Sequence, residues 1–480
     1  MDWFKRIAYR AKLIPDEPAV IYPGGMATYG RLAACVENAT QHALAAGMKK
    51  GEIVALEIRH PLLHLVAILA LHRCGVASLT AQTGHLAERS TVKIDRLLSD
   101  RYQAANRGWM LTVIGNDWLL SPSAGAPSLP ATGFDSPDDV CRIVLSSGTT
   151  GMPKAISFTE RMLEYRFNQI WYLLERGRYM SMMGFSTVGG YQLLMTALVL
   201  GGSLCFAGTP EDALQVAALY HVTHLIAAPF QIRALLDAQT KSGLYLPHLR
   251  HVLLGGSHIT AELVAEVARK LCPNVLVHYG STELGVVAHG PASVMGGVSG
   301  AAGFVAPGET VEIVDDSGGI LPRGEEGIVR IKAEHIDRYF VPTAEDAEIF
   351  KDGYFYPGDI GRLMPDDLLV VTGRRTEVIN RGGTKAAPEI IEEVLLAAPA
   401  IADAAAFAVP GTDQIWAAVV CKSPMQQDEI IAMCREKLGG AAPDRLFELD
   451  QIPRNDMGKI IREEMKEKIM RKLSISFMSS

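Results

Sequence analysis

Seven cysteines are scattered at positions 35, 74, 141, 205, 272, 421 and 434. They include no CxxC pair and no Cys/His ligand spacing, which excludes a zinc-finger or disulfide framework and points to reduced thiols in a cytoplasm. An excess of basic residues is also lacking. The net charge is −7 over 480 residues, so a nucleic-acid partner, which calls for a basic surface, is not expected. The opening MDWFKRIAYRAK has no apolar signal core, and export is not expected. Charge itself is missing between Ser181 and Pro210, a run long enough to span a bilayer. Gly184, Gly189, Gly190, Gly201 and Gly202 interrupt it. It therefore reads as a loop, a buried helix over 192–200 and a buried strand over 203–207, with no membrane span.

What is present is ordinary for a globular protein: 48% hydrophobic and 21% charged residues, without repeats or low-complexity segments. The length predicts two or more domains. Through the first 300 residues, helix-like and strand-like patterns alternate. "YGRLAACVENATQHALAAG" (29–47) and "PLLHLVAILALHRCG" (61–75) have helical spacing. "EIVALEI" (52–58), "VTHLIAA" (222–228) and "HVLLGG" (251–256) are short strand-like runs. This alternation predicts an α/β fold with mainly parallel sheets covered by helices, where ligands bind beyond the carboxyl ends of strands. From about 300, strands joined by Gly- and Asp-rich turns predict a small β region. The pattern becomes mixed again after Gly373-Arg374. The predicted division is a large N-terminal domain over 1–374 and a small, mobile α+β domain over 375–480.

Five stretches carry candidate chemistry: "SSGTTGMPK" (146–154), "YGSTE" (279–283), "GYFYPGD" (353–359), "GRRTEVINRGGTKAAPEIIE" (373–392) and "PRNDMGKIIR" (453–462). The first follows the strand-like run Cys141–Leu145. Taken alone it is either a surface turn or a phosphate cradle, and it lacks the G-x-x-x-x-G-K-[ST] spacing of the usual nucleotide loop. The five motifs, in this order, resemble the adenylate-forming superfamily of acyl-CoA and aryl-CoA synthetases, luciferases and peptide-synthetase adenylation domains. The resemblance spans nearly the whole chain, including "TYGRL…GMKKGEIVAL" near its start.

The resemblance implies attack of a carboxylate on the α-phosphate of ATP with Mg²⁺, giving an acyl-adenylate and pyrophosphate, then thioester formation with coenzyme A. Two anions must meet, so the site needs positive charge and a metal. On this resemblance Ser146, Ser147, Gly148, Thr149, Thr150, Gly151 and Lys154 bind the leaving phosphates. Thr282 serves the α-phosphate and Glu283 the Mg²⁺ ion, for which one carboxylate with phosphate oxygens and water suffices. Tyr279 and Gly280 lie against the adenine. Gly255, Gly256 and Ser257 form a turn on which purine and acyl group rest. Asp359 and Arg374 hold the ribose, and Lys459 reaches carboxylate and phosphate oxygens during adenylation. Gly383, within "INRGGTK", lines the thiol tunnel after the C-terminal domain rotates.

Three positions depart from the family pattern. Pro357 replaces the usual threonine before Gly-Asp, Thr376 replaces the usual charged hinge residue, and Phe185-Ser186 replaces an aromatic-His pair. Ser186 cannot supply the aspartate that pairs with an amino-acid ammonium, and burying that charge unpaired is costly. The expected substrate is therefore a small aromatic or aliphatic carboxylic acid and not an amino acid. Phe185, Val188, Tyr191, Phe230, Gly255, Val286 and Val287 are the expected pocket wall. The main alternative acceptor is the phosphopantetheine of a carrier protein. A catalytically degenerate nucleotide-binding regulator is the reading from another class. Intact Lys154, Glu283, Asp359, Arg374 and Lys459 argue against it.

Overall fold

The computed structural model describes residues 2–80, 92–101, 109–125, 128–129, 133–146, 154–332, 346–381, 384–409, 412–454 and 459–478. The chain divides into two compact units. The first comprises Met1–Leu254, Ala265–Val287 and Glu334–Asp346, and the second Gly255–Val264, Ala288–Ala333 and Ala347–Ser480.

Two sheets organise the first unit. One runs in the order Val275–Ser281, His251–Leu254, His224–Ala227, Arg178–Ser181, Ser203–Cys205, Pro18–Tyr22 and Gly25–Thr28. Its strands are parallel except for the last pair. The other runs Met110–Val113, Arg96–Ser99, Ile53–Glu57, Ala77–Thr80, Val140–Ser146 and Lys154–Thr159, and is parallel up to its final hairpin. Helices start where hydroxyl side chains can cap them. Thr28 accepts from the Arg31 amide at Tyr29–Ala45, Thr159 from Met162 at Glu160–Ile170, and Thr187 from Gly190 at Val188–Val199. Helix Pro61–Arg73 is buried from Leu62 to His72. This agrees with its nearly unbroken apolar sequence and excludes a solvent-facing stripe.

The uncharged run resolves into the helix Val188–Val199 and the strand Ser203–Cys205. Among the described residues no helix is long and apolar enough to cross a membrane. All seven cysteines are unbridged, and six are buried.

In the second unit Ala301–Val305, Leu368–Arg374, Asp359–Leu363 and Gly327–Lys332 pair antiparallel, and Thr310–Val314 joins Gly327–Lys332. A smaller sheet follows, with Ile401–Ala408 antiparallel to Ile415–Cys421 and Arg445–Glu448 parallel to the latter. Its alternating side chains feed two cores. Ala404, Ala406, Ala417 and Val419 pack with Ile391, Leu395 and Ile431. Ala405, Phe407, Trp416 and Ala418 pack with Met465 and Ile469. Helices Pro388–Leu396 and Gln427–Leu438 thus cover one face and Arg462–Met478 the other.

Candidate active site

Ser146 and Lys154, the ends of the SSGTTGMPK motif, pair across two antiparallel strands. Ser147, Gly148, Thr149, Thr150 and Gly151 lie outside the described residues. Lys154 Nζ lies 3.1 Å from Asp346 Oδ1, and the two side chains are 17% and 10% exposed. Such shielding makes the carboxylate a strong competitor for the ammonium that the phosphates would need. Asp346 escaped the sequence reading because nothing local distinguishes it from the exposed acids around it.

Thr282 and Glu283 form the tip of a tight turn between the strands Val275–Ser281 and Gly285–Pro291. Three contacts fix it. The Leu284 amide donates to Ser281 Oγ at 3.2 Å. Arg166 Nη2 donates to the Thr282 carbonyl at 2.6 Å. Gly280 packs so closely that a Cβ there would meet the Gly285 carbonyl oxygen at 1.9 Å. Glycine is therefore required by space and not only by conformational freedom. Glu283 is 8% exposed, and Tyr279 is half-buried three positions before Thr282. The turn sits at the carboxyl end of its parallel strand, the edge where such sheets bind ligands.

Next to the expected pocket-wall residue Phe185, Arg142 was hidden within a run read as apolar. It is 1% exposed and donates from Nη1 to Ser78 Oγ at 3.0 Å, and from Nη2 to Thr80 Oγ1 at 2.6 Å and the Phe185 carbonyl at 2.8 Å. The guanidinium also stacks 4.9 Å over the Tyr191 ring, and burial lowers its pKa to about 10. This arginine positions the backbone entering Ser186. Tyr191 itself is 3% exposed and packs edge-on against Trp3, and Val287 is fully buried. Both are core packing, whereas Ser186, Val188, Phe230 and Val286 are half-buried.

The other candidates lie in the second unit. Gly256 adopts φ +92°, a backbone region that glycine enters without strain. Ser257 follows it, half-buried. Asp359 stands opposite Arg374 in an antiparallel pair, with Oδ1 2.9 Å from Arg374 Nε. Arg374 Nη1 also donates to the Pro357 carbonyl at 2.7 Å. Pro357 loses a hydroxyl relative to the family pattern, yet its carbonyl still orients the arginine. Lys459 is half-buried beside an antiparallel bridge between Arg454 and Ile460. Gly383 lies outside the described residues.

A buried cluster in the second unit was not anticipated. Arg462 Nε pairs with Glu377 Oε2 at 2.7 Å, and Nη1 pairs with Glu392 Oε1 at 2.7 Å and the Ala406 carbonyl at 3.1 Å. Glu389 lies farther from it, at 3.9 Å, with Oε2 buried and without a hydrogen-bond partner. Burial, and then the Glu392 charge, push the Glu389 carboxyl up to about 7. Its residues were in plain view within two of the five motifs, but nothing in their spacing shows that they converge.

The model of the AMP-binding enzyme family matches residues 7–338, and that of the AMP-binding enzyme C-terminal domain matches 390–459. The chain belongs to the AMP-binding enzyme family. It is accordingly a member of the adenylate-forming superfamily. A 2-succinylbenzoate–CoA ligase of Bacillus subtilis (strain 168) is 25% identical over 481 residues, covering 95% of this chain and 96% of the relative. A 4-chlorobenzoate–CoA ligase of Arthrobacter sp. is 25% identical, with coverage of 97% and 94%. The fold matches an o-succinylbenzoate CoA synthetase from Bacillus subtilis solved with its acyl-adenylate intermediate. Here the TM-score is 0.85 at 22% identity, over 97% of this chain and 98% of that one.

Proposed function

We propose that this AMP-binding enzyme is an acid–thiol ligase. It activates a carboxylic acid with ATP as an acyl-adenylate and transfers the acyl group to coenzyme A. The observation that carries the reading is the Thr282–Glu283 turn, held by Arg166 and the Gly280 contact at the carboxyl edge of a parallel sheet. Thr282 offers a hydroxyl to the α-phosphate. Lys154 exchanges Asp346 for the leaving phosphates, so that its charge stabilises pyrophosphate as it departs. Tyr279 lies against the adenine, Gly256 and Ser257 support the purine, and Asp359 accepts from the ribose hydroxyls while Arg374 fixes it. Glu283 fits Mg²⁺, because that ion takes one or two carboxylates and fills its shell with phosphate oxygens and water. Bound there, Mg²⁺ would neutralise phosphate charge.

We place the domain boundary at 374–377, with residues 375–480 as a mobile lid that brings Lys459 to the reacting carboxylate and later presents Gly383 to the thiol. The acid is aromatic or aliphatic. Ser186 carries no charge for an ammonium, so amino acids are poor substrates. The reaction belongs in the cytoplasm.

Pyrophosphate release measured over a panel of carboxylic acids, with and without coenzyme A, tests the reading. Acid-dependent pyrophosphate with an acyl-CoA product is expected. Adenylate formation that never consumes free coenzyme A would move the acceptor to a carrier-protein phosphopantetheine, and no pyrophosphate with any acid would refute the enzyme.

A further inference from the structure

The first unit's larger sheet also has an amino edge, opposite the one that bears Thr282 and Glu283. Pro18, Arg178 and Ser203 are the first residues of their strands there, and Thr223 and Arg250 immediately precede His224–Ala227 and His251–Leu254. These five strand starts surround a cavity of about 530 Å³. Its chemistry comes from Arg176, Arg178, Arg250, His221 and His248, with Glu17 as the acid in its lining.

Two of the three arginines have carboxylate partners. Arg176 lies 3.4 Å from Glu17 and Arg250 3.0 Å from Glu175, in pairs where every side chain is at least half exposed. Pairs of this kind are weak and readily exchanged. Arg178 differs. Its Nη1 donates to the Tyr220 carbonyl at 2.5 Å, and among the described residues it has no carboxylate partner. A neutral carbonyl orients the guanidinium without neutralising it. His221 is held at φ +52°, a costly conformation for a residue with a side chain, and packs at a tilt against His248 with ring centroids 3.9 Å apart. The result is a recess of small-molecule size walled by guanidinium and imidazole donors. Glu175, His224 and His251 at the same edge bring possible metal-ligand atoms within 4.8 Å of one another. Arg250 already sits on Glu175 Oε1, a neighbouring cation that disfavours a metal ion and adds to the attraction for an anion.

We propose that this cavity is a binding site for a small phosphate monoester, separate from the adenylation site. Arginine forks match the paired oxygens of a phosphate, and charge-assisted hydrogen bonds are the strong ones. The cavity has room for an organic group beyond the phosphate.

The test is calorimetric titration of the full-length chain with glycerol 3-phosphate and, separately, inorganic phosphate. Saturable binding of glycerol 3-phosphate is expected. Arg178→Gln should weaken it about 10- to 100-fold, the loss of a hydrogen bond to a charged group. His248→Ala, on an exposed residue that leaves the Arg178–Tyr220 contact intact, should weaken it too and decides the matter if Arg178→Gln does not fold. Lys154→Ala should leave the binding unchanged, and Arg178→Gln should leave acid-dependent pyrophosphate release unchanged. Three results would overturn the proposal: no saturable binding of glycerol 3-phosphate, binding of inorganic phosphate alone, or binding lost with Lys154→Ala and retained in both cavity variants.

Discussion

Replacing Glu389 with glutamine should make the C-terminal part of this enzyme more stable at pH 8 than the wild type, and much closer to it at pH 5. Glu389 lies among Glu377, Glu392 and Arg462, and the arginine spends its short contacts on the other two acids. Burial and the Glu392 charge raise the carboxyl from its ordinary value of 4.5 to about 7. A raised carboxyl holds its proton more tightly folded than unfolded. Between those two values the native state binds more protons, and stability falls as pH rises. The penalty is absent below 4.5 and complete above 7. At 1.36 kcal/mol per tenfold change in proton affinity it reaches about 3 kcal/mol, an upper limit because Arg462 can rotate toward the freed charge. Glutamine keeps the shape, cannot ionise and removes the penalty. Amide hydrogen exchange of helix Pro388–Leu396 and strand Ile401–Ala408, corrected for intrinsic rates, reads the local opening free energy. The difference between variant and wild type should grow from pH 5 to pH 8. If Glu389→Gln follows the wild-type pH dependence throughout, the cluster does not store this charge.

Three other substitutions address the site. Glu283→Gln should slow Mg²⁺-dependent adenylation by about 10²-fold while leaving the unfolding transition in place, and an unchanged rate and Mg²⁺ requirement would remove the residue from the metal. Lys459→Ala should lose roughly 10²–10³ in adenylate formation yet transfer acyl groups normally from a supplied acyl-adenylate; single-turnover assays that find both steps slowed equally would contradict a role confined to the first. Gly280→Ala must displace the Gly285 carbonyl, at a cost of about 1–3 kcal/mol in stability, and should impair adenylation more than a neutral loss of stability would; wild-type turnover in this variant would show that the turn tolerates the shift.

The parallel sheets were legible because short apolar strands and capped helices alternate, a pattern set by local physics. Helix Val188–Val199 begins four residues before the expected start, since Thr187 caps it and its two glycines are tolerated inside a buried helix. The stretches that hold Thr282, Glu283, Asp359 and Arg374 stood out as short motifs, whereas the turn and the Asp359–Arg374 ion pair they form did not. Asp346, Arg166 and Arg142 were not legible. Each acts across more than 40 residues, on Lys154, the Thr282 carbonyl and the Phe185 carbonyl, and single-sequence periodicity carries no information about such pairings. Arg142 did leave a trace, as a lone charge inside a buried strand that had to find partners.

The Glu377–Arg462 contact also bears on where the proposed lid would pivot. Ahead of Thr376, the Arg375 amide is bonded to the Gly358 carbonyl at 2.8 Å, so the chain is clamped to the sheet. Behind it, Glu377 is bolted through Arg462 to helix Pro388–Leu396 and strand Ile401–Ala408. Rotation of that proposed lid would be confined to the backbone dihedrals flanking Thr376, an axle one residue long. One backbone hydrogen bond spans that axle, from the Glu377 amide to the Arg374 carbonyl at 3.1 Å, and it would have to release before the proposed lid could turn. A side-chain charge at Thr376 is unnecessary to such a joint, and Lys459, three residues ahead of Arg462, would move as freight on the far arm of the proposed lid.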